Sequence, residues 1–176
     1  MLSSKNNHNR LFKNIDLSKI SYSELDKYVQ ISYYNNKLQF WTPVMFCPFG
    51  IEKSYNNYVL KLSFVKKSNN EKICNTDFLD FIKSIEKKNM EHVDIEENTY
   101  ISQVFVKQGY DPMLTVKLPY NNNKLLVEFK NKEGETIVSD DIKKCQNLQV
   151  LLEVDSLWNF NDKYSCKFKA KTIVLS

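Results

Sequence analysis

Residues 150–170 read VLLEVDSLWNFNDKYSCKFKA. Val150, Leu152 and Val154 recur at every second position, the period of a β-strand with one buried face. Tyr164, Cys166, Phe168 and Ala170 repeat that period at the far end of the stretch. If those four face a core, Lys163, Lys167, Lys169 and Lys171 share the opposite face with Ser165. At a rise of ~3.3 Å per residue, alternate lysines then stand about 7 Å apart. Between the two runs, Trp158-Asn159-Phe160-Asn161-Asp162 falls where a turn is expected.

The same period extends outward from this stretch. Tyr58, Leu60, Leu62 and Phe64 point to one face of a strand, with Val59, Lys61 and Ser63 on the other. Leu114, Val116 and Leu118 alternate, as do Leu125, Val127 and Phe129 after the turn residues Asn121–Asn123, so this pair reads as a hairpin. Asn35–Asn36, Asn56–Asn57 and Asn69–Asn70 also lie between apolar runs. Asparagine suits turns there, because it tolerates the left-handed region and bonds its own backbone. One segment breaks the period. In NTDFLDFIKSIEKKNM, residues 75–90, Phe78, Leu79, Ile82 and Ile85 form one helical stripe, with Asn75 or Thr76 as N-cap and Asp77 at the positive end of the dipole. Residues 99–108, TYISQVFVKQ, fit a short helix or a strand.

Residues 41–50, WTPVMFCPFG, concentrate apolar side chains around Pro43 and Pro48 and end on one of three glycines. Each proline removes a ladder donor and fixes φ, so the segment reads as a rigid aromatic loop or a sheet edge. Residues 1–14 are polar and read as a flexible tail, with residues 15–176 as one domain. Six or so strands with one helix around residues 77–90 give a mainly β fold. The pattern suits a small closed barrel such as an OB-fold, or a β-sandwich.

Composition restricts the chemistry. The chain carries 25 Lys and Arg against 21 Asp and Glu, a formal charge of +4. That balance does not by itself specify a polyanionic partner. No apolar run reaches the ~18 residues that span a bilayer, and the first residues lack an apolar signal region. A soluble, intracellular protein is expected. Cys47, Cys74, Cys145 and Cys166 form no C-x-x-C pair and read as free, mostly buried thiols. Gly50, Gly109 and Gly134 are isolated, which excludes phosphate-cradling and dinucleotide-binding glycine motifs. His8 and His92 stand without nucleophile partners, and the acidic run Glu91–Glu97 lacks the spacing of a calcium loop. Neither a catalytic constellation nor a cofactor or metal site is expected.

The remaining signal is lysine interleaved with aromatics, the pairing that holds single-stranded nucleic acid by phosphate contacts and base stacking. The same pattern also serves merely to solubilise a sheet face. Phe40, Trp41, Tyr110, Tyr120, Trp158 and Phe160 read equally as core or as stacking platforms. Trp158 and Phe160 in an expected turn, and Tyr120 after Pro119, favour loop-mouth platforms.

The succession TPVMFCPFG, YVLKLSF, DFLDFIKSIEKK, GYDPMLTVKLP and LLEVDSLWNFNDKYSCKFKA resembles the OB-fold single-stranded-DNA-binding proteins of large nucleocytoplasmic DNA viruses, over roughly residues 38–174. The family block TP-x-M-x-x-PFG corresponds to Thr42-Pro43, Met45 and Pro48-Phe49-Gly50. The late Trp, hairpin and Lys-bearing strand correspond to Trp158, Tyr164 and Lys167. Ser165 stands where that pattern commonly has glycine, and the chain ends KTIVLS rather than in an acidic tail.

The resemblance implies an OB-like barrel of five to seven strands that binds single-stranded DNA without catalysis, in viral replication, recombination or repair. Phosphate contacts are assigned to Lys61, Lys117, Lys124, Lys163, Lys167, Lys169 and Lys171, and stacking to Trp41, Phe49, Tyr120, Trp158 and Phe160. Replication proteins are further partners, a homo-oligomer is compatible, and membranes are not expected. The host cytoplasm, in a viral factory, or the nucleus is the expected location. The alternative is a structural or protein-interaction component of the virion or replication factory, docking through residues 41–50.

Overall fold

The long alternating stretch becomes the longest hairpin of the molecule. The computed structural model describes residues 10–55, 57–68, 71–122 and 124–176. In chain order the strands are β1 (Ile20–Glu24), β2 (Tyr28–Tyr33), β3 (Gln39–Trp41), β4 (Met45–Cys47), β5 (Ile51–Ser54), β6 (Asn57–Ser63), β7 (Val65–Ser68) and β8 (Glu71–Cys74). Helix α1 (Thr76–Val93) follows. Then come β9 (Val104–Phe105), β10 (Met113–Leu118), β11 (Tyr120–Asn121), β12 (Lys124–Leu125), β13 (Glu128–Lys130), β14 (Gln146–Phe160) and β15 (Lys163–Leu175).

Five of these strands close a ring. β14 pairs with β4, β4 with β6, β6 with β10, β10 with β15, and β15 returns to β14. The β10–β15 pairing is parallel and the others are antiparallel. Closure leaves the barrel itself without a free edge. Its interior is filled by the residues the alternation marks. Leu60, Leu62, Leu114, Val116, Leu118, Val150, Leu152, Val154, Cys166, Phe168 and Ala170 are all buried.

Helix α1 links β8 to β9 and seals one side of the core. Phe78, Ile82 and Ile85 are fully buried, and the Phe78 ring meets Phe12, Phe40 and Phe64 at 4.9, 6.4 and 5.8 Å. Asn75 is the N-cap residue, but its side chain makes no capping bond; its carbonyl accepts from Leu79 N–H instead. On the buried face, the Glu86 carboxylate accepts from Ser102 Oγ at 2.6 Å and Gln103 N–H at 2.7 Å, tying α1 to the segment before β9. Burial raises its pKa against the opposing pull of those bonds. Residues 99–108 contain the short strand β9, preceded by a 3-10 turn at Glu97–Thr99.

Four expectations are corrected. The 41–50 stretch is only partly loop: residues 42–44 and 48–50 lie outside strands, whereas Trp41 in β3 and Met45–Cys47 in β4 are paired. β3 and β4 lie along β14, and Met45 and Cys47 are fully buried. Pro43 is tolerated because it sits in the break between them, where Thr42 maintains the ladder: its N–H donates to Val150 O at 2.9 Å, and its Oγ1 accepts from Val150 N–H at 3.0 Å. The hairpin joining residues 114–118 to 125–129 does not form. β10 already has β6 and β15 at its two edges, so only the short β11–β12 ribbon pairs after Pro119, and β13 runs parallel to β15. The span Trp158–Phe160 belongs to β14; the turn is Asn161–Asp162 alone, both at positive φ as in a two-residue type I′ turn. Two cysteines, Cys74 and Cys145, are exposed rather than buried.

The expected boundary at residue 15 falls inside a packed segment. Phe12 is buried against Phe78 and Phe81, and Trp41 N–H donates to Arg10 O. Residues 1–9, with His8, lie outside the described residues, as do Asn56, Asn69, Asn70 and Asn123 of the expected turns. Asn35 and Asn122 do adopt positive φ.

Gly50 is required by geometry. Its φ is +70°, and an added Cβ would lie 3.2 Å from Lys143 C and 3.3 Å from Ile142 O. Gly50→Ala is expected to destabilise by at least the ~1–2 kcal/mol of a left-handed non-glycine residue, read as a lower midpoint in denaturant unfolding. An unchanged midpoint would show that the loop relaxes freely.

Candidate nucleic-acid interface

Because alternate residues of β15, β10 and β6 fill the barrel, the intervening ones form its outer surface. On β15 these are Ser165, Lys167, Lys169 and Lys171; on β10, Thr115 and Lys117; on β6, Val59 and Lys61. The register joins them. Lys61 lies opposite Thr115, Lys117 is paired with Lys169 across the parallel strands, and Trp158 lies opposite Ser165. Lys61, Lys117, Lys167, Lys169 and Trp158 therefore share one continuous face.

That face is not uniformly positive. Lys169 Nζ lies 2.8 Å from Asp155 Oδ1, Lys171 Nζ 4.0 Å from Glu153 Oε2, and Lys61 Nζ 3.4 Å from Glu52 Oε2. Among the described residues, Lys117, Lys124, Lys163 and Lys167 have no carboxylate within ion-pair distance. Lys167 is half-buried, and its pKa is lowered first by burial and then by the neighbouring Lys117 charge. Two adjacent ammonium groups without a counter-charge make a site where a phosphate relieves repulsion as well as adding attraction.

The acidic partners escaped the sequence reading, although a β14–β15 hairpin implies them. With Val154 inward, Glu153 and Asp155 must share the lysine face. They occupy Lys169 and Lys171 in the free protein and compete with an incoming phosphate. Asp155→Asn is accordingly expected to tighten single-strand binding about two- to fivefold, the scale of one modest ion pair, measured by fluorescence anisotropy. Weaker binding would instead make Asp155 a residue that positions Lys169.

The aromatics divide by location. Trp158 is 40% exposed, with its ring 4.7 Å from that of Tyr28, a residue the sequence reading did not single out. Phe160, 77% exposed, stands opposite Lys163 beside the hairpin turn. Lys61 Nζ lies 5.5 Å from the Phe49 ring centroid. Phe49 in turn lines a shallow groove of about 200 Å³ with Phe46, Pro48, Tyr110 and Met113. Tyr120 is half-buried, edge-on to Tyr58 at 5.3 Å, and Lys124 is exposed beside it on the β11–β12 ribbon. Trp41 is half-buried and lines a separate trough on β3. Phe40 is core. The structure thus gathers Phe49, Lys61, Lys117, Lys167, Lys169 and Trp158 into one band. Phe160 and Lys163 lie at its hairpin end, Lys171 and Trp41 at the opposite end of β15, and Tyr120 and Lys124 on the ribbon after β10.

Among the described residues no cluster of His, Cys, Asp and Glu could hold a metal ion, and no helix is long and apolar enough to cross a membrane. His92 stacks on Tyr22 at 4.1 Å with Nε2 3.2 Å from Glu24 Oε1, a surface contact at the end of α1.

Solved structures share this architecture. gp2.5, a single-stranded DNA binding protein encoded by bacteriophage T7, matches over 79% of this chain and 86% of its own, with a TM-score of 0.54 and 12% identity. The chain is an OB-fold-like small barrel. The single-stranded DNA-binding protein from bacteriophage Enc34 matches over 89% of both chains with a TM-score of 0.53 and 9% identity. In complex with single-stranded DNA, that protein matches over 90% of this chain and 95% of its own, with a TM-score of 0.55 and 8% identity. No protein-family model matches the sequence, and no curated protein matches it significantly. In the OB barrel described here, the lysine band crosses the outer surface of β6, β10 and β15, between the loop bearing Phe49 and the hairpin bearing Trp158.

Proposed function

We propose that this OB-fold protein binds single-stranded DNA, without catalysis and with little sequence preference, in viral DNA replication, recombination or repair. One observation carries the reading: a lysine band on the barrel's outer face, with Lys117 and Lys167 unpaired, lies between exposed Phe49 and exposed Trp158. Lysines release counterions from the phosphates, and aromatic faces accept bases of any identity. The phage single-strand binders of the same fold support the reading. The TPVMFCPFG and late-Trp blocks resemble those of the single-strand binders of large nucleocytoplasmic DNA viruses, and that resemblance supports a viral protein acting inside the host cell, in a cytoplasmic factory or the nucleus. Replication proteins and further copies of the chain are its proposed partners.

Trp158→Ala tests the stacking component. Because Trp158 is partly exposed on the outer face, the substitution is expected to weaken single-strand binding by about 1–3 kcal/mol with little change in melting temperature. Unchanged affinity would remove Trp158 from the site. The groove of Phe46, Pro48, Phe49, Tyr110 and Met113 favours a second reading, in which this end of the barrel docks a protein. That reading predicts no dependence of DNA binding on Phe49.

A further inference from the structure

The outer surface holds a second concavity away from β6. β3, β14, β15 and β13 lie side by side, with Trp41 opposite Leu151, Leu151 opposite Thr172, and Thr172 opposite Glu128. Together they enclose a trough of about 470 Å³. Trp41 lines it with Leu151 and Val174, and Gln39 and Thr172 add uncharged polar groups.

Its charges are internally compensated. Lys130 Nζ lies 3.2 Å from Glu128 Oε2, and Lys171 Nζ 4.0 Å from Glu153 Oε2, which also accepts from Gln39 Nε2 at 2.6 Å. A neutral, tryptophan-lined trough with amide and hydroxyl groups suits a flat uncharged ring with polar edges. It does not suit a phosphate. The trough also continues the lysine row: Ser165, opposite Trp158, and Thr172, opposite Leu151, are joined along β15 by Lys167, Lys169 and Lys171. Seven residues of strand span about 23 Å at ~3.3 Å each, a length within reach of several nucleotides of extended strand.

We propose that the trough holds a nucleobase of the same DNA strand that stacks on Trp158, so that the strand runs lengthwise along β15 from one tryptophan to the other. This rests on the single-strand-binding reading and adds a path and a second base site to it. Phosphates lie over Lys167 and Lys169, and the base enters beside Trp41.

The chain has two tryptophans, so each can be read alone. Trp158→Phe leaves Trp41 as reporter, and Trp41→Phe leaves Trp158. Both are titrated with a dT oligonucleotide of about sixteen residues, the upper end of an OB-fold site, while anisotropy of a labelled copy records binding independently. Quenching of both tryptophans is expected, with a 5-iodouracil-substituted strand crosslinking to Trp41. Trp41→Ala should raise Kd about fivefold or more, the low end of base–aromatic stacking. If the labelled strand binds but Trp41 emission and crosslinking stay silent, the path is overturned and single-strand binding stands. If no strand binds by anisotropy, both are overturned.

Discussion

Reversing the two band lysines that lack a carboxylate partner, Lys117→Glu with Lys167→Glu, lowers affinity for single-stranded DNA by about two orders of magnitude at low salt and reduces the salt slope by about 1.4, since each lost phosphate contact on a single strand removes about 0.7. The effect exceeds that of any pair drawn from Lys61, Lys169 and Lys171, because those already have carboxylate partners, whereas Lys117 and Lys167 are neighbouring charges without one. Melting temperature should change little, as the native pair is itself repulsive. The same two reversals at Lys83 and Lys87, exposed on α1, should leave binding within about twofold, the reach of a screened distant charge. Equal losses from the two double variants would show that binding responds to net charge rather than to this face.

Phe168→Ala is expected to cost about 3–5 kcal/mol of stability, seen as a large fall in the midpoint of denaturant unfolding. Phe168 is fully buried and stands opposite Val154 of β14 and Val116 of β10, so its ring fills the barrel where the parallel and antiparallel pairings of β15 meet. A domain is stable by only about 5–15 kcal/mol in total, so this one substitution removes a large share. A loss under about 1 kcal/mol would mean that neighbouring side chains collapse into the space.

The contrast between Phe168 and Lys167 was legible from the sequence, because a strand's period of two separates the inward ring from the outward-facing ammonium without reference to anything distant. Residues 58–64, 114–118 and the helical stripe of Phe78, Ile82 and Ile85 were legible for the same local reason. Pairing was not. The parallel contact of β10 with β15 joins residues some fifty positions apart, and nothing near Leu118 records that both edges of its strand are occupied. The 41–50 segment was half legible: Pro43 and Pro48 do fall in the breaks flanking β4, but the pairing of Trp41 and of Met45–Cys47 with β14 joins residues about a hundred positions apart. The lysines of the site were identifiable by alternation. Their neutralisation by Glu52, Glu153 and Asp155 depends on cross-strand register, as does the packing of Tyr28 against Trp158.

The central claim is that the lysine band holds the phosphates of a single strand. Titration of the unmodified protein with labelled poly-dT across a series of salt concentrations, with an equal-length duplex as competitor, tests it most directly. Micromolar or tighter binding that prefers the single strand, with log affinity falling against log salt at about 0.7 per phosphate contact, is the result predicted. No binding at low salt, or binding that the duplex competes away equally well, would contradict it.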